Sequence, residues 1–151
     1  MIIREIIIRR MMEKDLAEVS ALEQRIFSKP WSTESFRSAY DREDTIYLVA
    51  EQEGRVSAYL GIWLGPEEGD LCNVAVAPEC RRQGIAYQLM EAAFDLCHQK
   101  KINRILLEVR LSNEAAKQLY HKFSFVELGI RQGYYSEPKE DAVIMEKIIS
   151  C

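Results

Sequence analysis

The chain has 151 residues, one domain's worth of sequence, and 48% of them are hydrophobic. A net charge of -4 argues against a protein devoted to nucleic acid, which needs a broad positive surface, and mildly favours cationic partners such as amines. Cys72, Cys80, Cys97 and Cys151 form no C-x-x-C pair and His98 and His121 stand far apart, so no metal site and no disulfide framework is expected.

Taken in chain order, the elements begin with an Ile-rich strand over residues 2–9. Arg4, Glu5, Arg9 and Arg10 interrupt it, so it is neither a signal-peptide core nor a membrane span, and with cysteines that make a poor disulfide scaffold a cytoplasmic setting is expected. Residues 13–27 place Leu16, Val19, Leu22 and Ile26 at helical spacing, and Pro30 stops that helix. Ser32 is the expected N-cap of a short helix carrying Phe36 and Tyr40. Strands 45–51 and 55–64 join at the turn residues Glu53-Gly54, and a third strand covers 71–76.

After that strand the pattern changes. Ile85, Leu89, Ala92-Ala93 and Leu96 form one stripe of a long helix that ends near Lys100-Lys101. A strand at 104–109, a helix at 113–123 and strands at 125–130 and 142–149 complete a single domain over 1–151. The fold class is α/β with a mixed sheet of about seven strands and flanking helices. The unit from 71 to 109 is strand, helix, strand, so its two strands run parallel and their carboxyl ends share one sheet edge. That edge is where open α/β sheets bind ligands.

Three groups of residues on that edge can carry chemistry. Arg81-Arg82-Gln83-Gly84-Ile85-Ala86 lies between a strand and a helix, where unpaired first-turn amides make an anion cradle. Glu108 ends its strand on the same edge, where a carboxylate can accept a proton from an amine; a surface Glu paired with Arg110 is the alternative. Tyr120 lies about two helical turns beyond Asn113, where a phenol can protonate a leaving group or merely pack against Ala116 and Phe123. Asn113 itself suits an N-cap.

The run Asn73-Val74-Ala75-Val76-Ala77-Pro78-Glu79-Cys80-Arg81-Arg82-Gln83-Gly84-Ile85-Ala86 resembles the acetyl-CoA-binding motif of the GNAT acetyltransferases, and the element order fits that fold from residue 2 to 149. The resemblance implies acetyl-CoA as cosubstrate and no metal. The amides of Arg82, Gln83, Gly84, Ile85, Ala86 and Tyr87 would hold the pyrophosphate, and Val74, Ala75 and Val76 the pantetheine arm. Further runs resemble the RimI type within that family: Phe27-Ser28-Lys29-Pro30-Trp31-Ser32, Leu107-Glu108-Val109-Arg110, Ser112-Asn113-Glu114-Ala115-Ala116, Leu119-Tyr120, and Tyr134-Tyr135 followed by Glu140-Asp141-Ala142.

That type acetylates the N-terminal alanine of a small-subunit ribosomal protein. It implies Glu108 as general base, Tyr120 as general acid, Asn113 as a further CoA contact, and Trp31, Tyr134 and Tyr135 as walls of the acceptor-peptide site. The implied partner is a protein N-terminus, with neither nucleic acid nor membrane. Ser124 and Gly133 depart from the pattern, where Gly and Asn are usual. A small-molecule amine or lysine acceptor, or an acyl-CoA-binding module without turnover, are the alternatives.

Overall fold

Alternating side chains on two neighbouring strands divide the interior into two layers. On β2 (Thr45–Gln52) and β3 (Arg55–Leu64), Ile46, Leu48, Ala50, Leu60 and Ile62 enter one core, whereas Tyr47, Val49 and Tyr59 enter the other. Successive strand residues point to opposite faces, so a strand covered on both sides reads as a continuous apolar run. The computed structural model describes residues 5–149 and assembles them into one seven-stranded sheet. α3 (Ile85–Gln99) fills the first core through Ile85, Leu89, Met90, Ala93, Phe94 and Cys97, with α4 (Glu114–Lys122) packed at its margin. α1 (Leu16–Ile26) and α2 (Thr33–Asp41) close the second through Leu16, Val19, Leu22 and Phe36.

The other strands are β1 (Ile7–Arg10), β4 (Glu68–Val76), β5 (Arg104–Arg110), β6 (Val126–Ser136) and β7 (Lys139–Ile148), in the order β1-β2-β3-β4-β5-β7-β6. The element types agree with the sequence reading; the boundaries differ for local reasons. Residues 2–4 of the expected first strand lie outside the described residues. The helix expected over 13–27 opens as a 3-10 turn, Glu13–Asp15, because Asp15 accepts from both Arg9 terminal nitrogens (2.7 and 2.9 Å) and from the Met12 N–H. It ends at Ile26, ahead of Pro30, where Phe27 turns extended. Ser32 does cap α2, its Oγ accepting from the Ser35 N–H at 3.1 Å. Among the described residues no helix is long and apolar enough to cross a membrane.

The feature that builds the site is an incomplete pairing. β4 and β5 run parallel but pair only at Glu68↔Arg104, Gly69↔Ile105 and Asp70↔Leu106. β4 continues to Val76 and β5 to Arg110 without further pairing to each other, so their carboxyl halves part and leave a gap in the middle of the sheet. The sequence reading expected these two strands to run parallel, as they do, and set no register; the pairing lies upstream of residue 71.

The two departures at Ser124 and Gly133 both fall in left-handed backbone, with φ of 68° and 63°. Asn enters that region more readily than most L-residues and Gly more readily still, so Gly133 can keep a backbone bend of the kind Asn would make. Ser124 follows the last turn of α4, where its N–H bonds to His121 O (2.9 Å) and the Phe125 N–H to Tyr120 O (3.1 Å). This is a Schellman closure, which favours glycine. A left-handed conformation costs an L-residue about 1–2 kcal/mol, partly offset by glycine's greater freedom when unfolded. Ser124→Gly should therefore stabilise the fold by about 0.5–1 kcal/mol and raise Tm by about 1–4 °C in a thermal melt. A lower Tm would contradict the capping role.

Candidate active site

The gap between β4 and β5 opens into two adjoining cavities. The larger, about 600 Å³, is lined by Leu71, Cys72, Asn73 and Val74 of β4, Glu108, Val109 and Arg110 of β5, and Tyr134 and Tyr135 of β6. Its outer wall is the segment 27–29 with the β6–β7 turn. Ser28 Oγ donates to the Glu137 carbonyl at 2.7 Å, and the Lys29 ammonium bonds to Ser136 Oγ. The smaller, about 410 Å³, is lined by Val74, Ala75, Val76, Arg81, Arg82, Gly84, Ile85, Ala86 and Tyr87, and by Ala116 and Leu119 of α4. Ile26, Phe27, Val74, Asn113 and Tyr120 line both cavities, so the two meet around those side chains.

The smaller cavity has the chemistry of an anion site at its far end. Gly84 caps α3 in left-handed backbone (φ 74°) and no side chain caps that terminus, so the first-turn amides stay available. A Cβ on Gly84 would meet no protein atom within 4 Å apart from its chain neighbours. The space before it is open. The strand flank supplies further backbone groups. The Ala77 N–H donates to Ser57 O at 2.8 Å, marking 57 and 77 as a hydrogen-bonded pair. Antiparallel pairs alternate, so Val76 and Val74, opposite Ala58 and Leu60, direct their N–H and C=O groups away from β3 and toward the gap. Arg81 Nε takes the Val76 carbonyl at 3.2 Å and so ties the loop to the strand end.

At the junction, burial pushes the Tyr120 phenol up to about 12, with Tyr135 adding to the shift. Its ring packs on Phe125, centroids 5.7 Å apart. Asn113 caps α4, its Oδ1 accepting from the Ala116 N–H at 3.1 Å, while also lining both cavities. In the larger cavity the Glu108 side chain is 32% exposed and Arg131 Nε lies 3.8 Å from its carboxylate, a loose pair that leaves it accessible. Burial raises the Tyr134 phenol and the neighbouring Glu108 carboxylate raises it further. Arg110, the alternative partner for Glu108, is turned elsewhere: it covers the Tyr135 ring at 4.3 Å and donates to the Pro138 and Glu137 carbonyls.

Most residues singled out from sequence thus line this pair of cavities, and two do not. Gln83 is drawn back toward the sheet, its Oε1 accepting from Gln52 Nε2 at 3.0 Å. Trp31 was expected in the acceptor wall, but its ring packs on Phe36 and Trp63 (centroids 5.2 and 6.4 Å) and its backbone N–H donates to the buried Glu23 carboxylate at 2.9 Å. Sequence reasoning missed Phe27, Ser28 and Lys29 as wall residues, because their contact with the β6–β7 turn spans more than a hundred positions. It also missed Cys72 and Asn73. The alternation along β4, with buried Leu71, Asn73 and Ala75, was the available signal. Among the described residues no group of three or more His, Cys, Asp or Glu could hold a metal ion.

An open anion cradle, a partly buried phenol and an accessible carboxylate lie in sequence along one cleft. The sequence matches the Acetyltransferase (GNAT) family over residues 16–125. A protein of Bacillus subtilis (strain 168) is 37% identical over 139 residues, covering 91% of this chain and 92% of that protein. The [ribosomal protein bS18]-alanine N-acetyltransferase of Escherichia coli (strain K12) is 36% identical over 138 residues, covering 90% and 93%. The crystal structure of the ribosomal-protein-S18-alanine N-acetyltransferase from Escherichia coli superimposes with a TM-score of 0.90 at 34% identity, covering 97% of this chain and 96% of that one. The chain belongs to the GNAT acetyltransferase family, within its RimI type, and is an acetyl-CoA-dependent N-acetyltransferase.

Proposed function

We propose that this enzyme acetylates the N-terminal α-amine of a protein, an N-terminal alanine of a small-subunit ribosomal protein being the natural candidate. The observation that carries the reading is the parting of β4 from β5 beyond Asp70↔Leu106, which joins two cavities of different chemistry at Tyr120. The names of the Escherichia coli relatives add the acceptor class. The pyrophosphate of acetyl-CoA lies against the first-turn amides of α3, where the helix dipole favours an anion. Its pantetheine arm runs along Val74 and Val76, and the thioester reaches the junction. The acceptor amine enters through the larger cavity.

The chemistry is direct transfer. The amine nitrogen attacks the thioester carbon, and Glu108 removes a proton from that nitrogen directly or through one water. The tetrahedral oxyanion is met by an N–H of the β4 flank. The carbon–sulfur bond then breaks, the electron pair leaves with sulfur, and the Tyr120 hydroxyl donates to the departing thiolate. Holding both substrates in line supplies much of the rate, with no acyl-enzyme.

A free α-amine in water titrates at about 7.7–8.0 and a lysine amine at about 10.4, so at pH 7 the neutral fraction differs more than a hundredfold. A peptide with a free N-terminal alanine should therefore be acetylated at least ~100-fold faster than its N-blocked, lysine-containing counterpart, measured by CoA release with product mass spectrometry. Equal rates on the two would leave an acetyltransferase and remove the N-terminal reading.

A further inference from the structure

Three aromatic and amide groups behind the larger cavity form a chain whose donor order is fixed. Trp63 Nε1 donates to the Tyr47 hydroxyl oxygen at 3.0 Å. The indole N–H is a donor and nothing else, so the Tyr47 oxygen is the acceptor and its single proton must go elsewhere. It goes to Asn73 Oδ1, also at 3.0 Å, in a buried bond. The opposite Asn73 orientation would leave that buried proton without an acceptor, at a cost of about 1–3 kcal/mol. The amide is therefore set with its oxygen toward Tyr47 and its NH₂ turned away.

The sheet is built to allow this. Tyr47, Gly61 and Asn73 lie in one row across β2, β3 and β4. A Cβ on Gly61 would overlap the Tyr47 ring, so glycine there lets the ring lie across β3 and reach Asn73. Among the described residues the Asn73 Nδ2 has no hydrogen-bond partner, yet no side-chain nitrogen or oxygen fully shut off from solvent lacks one. Asn73 is 7% exposed, so Nδ2 is not sealed off completely, and the space Asn73 borders is the cavity that also holds Glu108.

We infer that Asn73 is an acceptor-binding residue, its NH₂ donating to the first backbone carbonyl of the incoming peptide, with Tyr47 and Trp63 as positioning residues behind it. The assignment rests on the N-terminal reading above. A peptide puts a carbonyl one carbon from the reacting amine, and a side chain that shares the cavity with the base and offers a fixed pair of N–H donors complements that pattern. A simple alkylamine has nothing for Asn73 to bind.

The test compares two acceptors on each enzyme: an Ala-initiated peptide, and the same peptide with a trans-alkene in place of its first peptide bond, which keeps the shape and loses the carbonyl. Asn73→Ala should lower kcat/KM for the peptide about tenfold, mostly through KM, and leave the alkene analogue unchanged, as expected for one lost hydrogen bond. Tyr47→Phe, which removes the proton that orients the amide, should show the same discrimination at about threefold. Calorimetric acetyl-CoA affinity and a thermal melt check that each variant is folded. An equal fall on both acceptors, or no fall on either, would overturn the Asn73 assignment while leaving N-terminal acetylation in place. A wild-type enzyme that acetylates other amines but neither peptide would remove both.

Discussion

Gly84→Asp should lose acetyl-CoA binding by about a thousandfold while remaining folded. A carboxylate about 4 Å from a pyrophosphate charge opposes binding by roughly 4 kcal/mol at an effective dielectric constant of 20, and 1.4 kcal/mol is a factor of ten in Kd. The substitution is tolerable to the protein itself. Apart from its chain neighbours, no atom lies within 4 Å of a Cβ at this position, and Asp adopts left-handed backbone more readily than most residues, so the φ of 74° costs about 1–2 kcal/mol. Gly84→Ala separates the two effects, since it shares the strain and lacks the charge. Calorimetry should rank the affinities wild type, then Ala, then Asp. A folded Asp variant with wild-type affinity would remove the cofactor site from the start of α3.

Tyr120→Phe should lower single-turnover rate about 100-fold with acetyl-CoA affinity changed less than about threefold. The ring still packs on Phe125, so only the hydroxyl is lost. The lower end of the acid–base range of about 10²–10⁴ applies because a thiolate, whose thiol titrates at about 8.5 in water, already leaves tolerably well. The pH profile follows with its sign. The nucleophile must be deprotonated, so the rate rises with pH through about 8 as the acceptor α-amine loses its proton. The acid must be protonated, and burial pushes Tyr120 up to about 12, so its protonated form persists well beyond that. Wild-type enzyme should show a rise to a plateau, with no alkaline decline before about pH 10. An unchanged rate in the Phe variant would reduce Tyr120 to a packing residue.

The readable parts of this protein are those fixed by local chemistry. Ser32 and Asn113 cap helices through their own side-chain oxygens, and Glu53-Gly54 turn a hairpin because both adopt positive φ (51° and 78°). Gly84 before an apolar stripe marks the start of α3 for the same reason. What sequence does not carry is contact across long separations. The Trp31 ring suits a ligand wall or a core equally well, and Phe36 and Trp63 draw it into the latter, while Glu23 holds the Trp31 backbone N–H. The length of β6 was hidden because register shifts break its alternation between Glu127 and Gly129 and again between Arg131 and Tyr135. Asn73 has its orientation from Tyr47, twenty-six positions away, and from the missing side chain of Gly61. The gap in the sheet follows from a pairing that stops after three residue pairs, which no composition or period announces.

The most direct measurement is mass spectrometry of protein N-terminal peptides from cells with and without this gene, with the gene restored as control. An alanine-initiated N-terminus of a small-subunit ribosomal protein should be acetylated with the gene, unacetylated without it and acetylated again on restoration, while lysine acetylation stays unchanged. N-terminal acetylation that is the same in all three, with lysine or small-amine acetylation changed instead, would contradict N-terminal transfer by this enzyme.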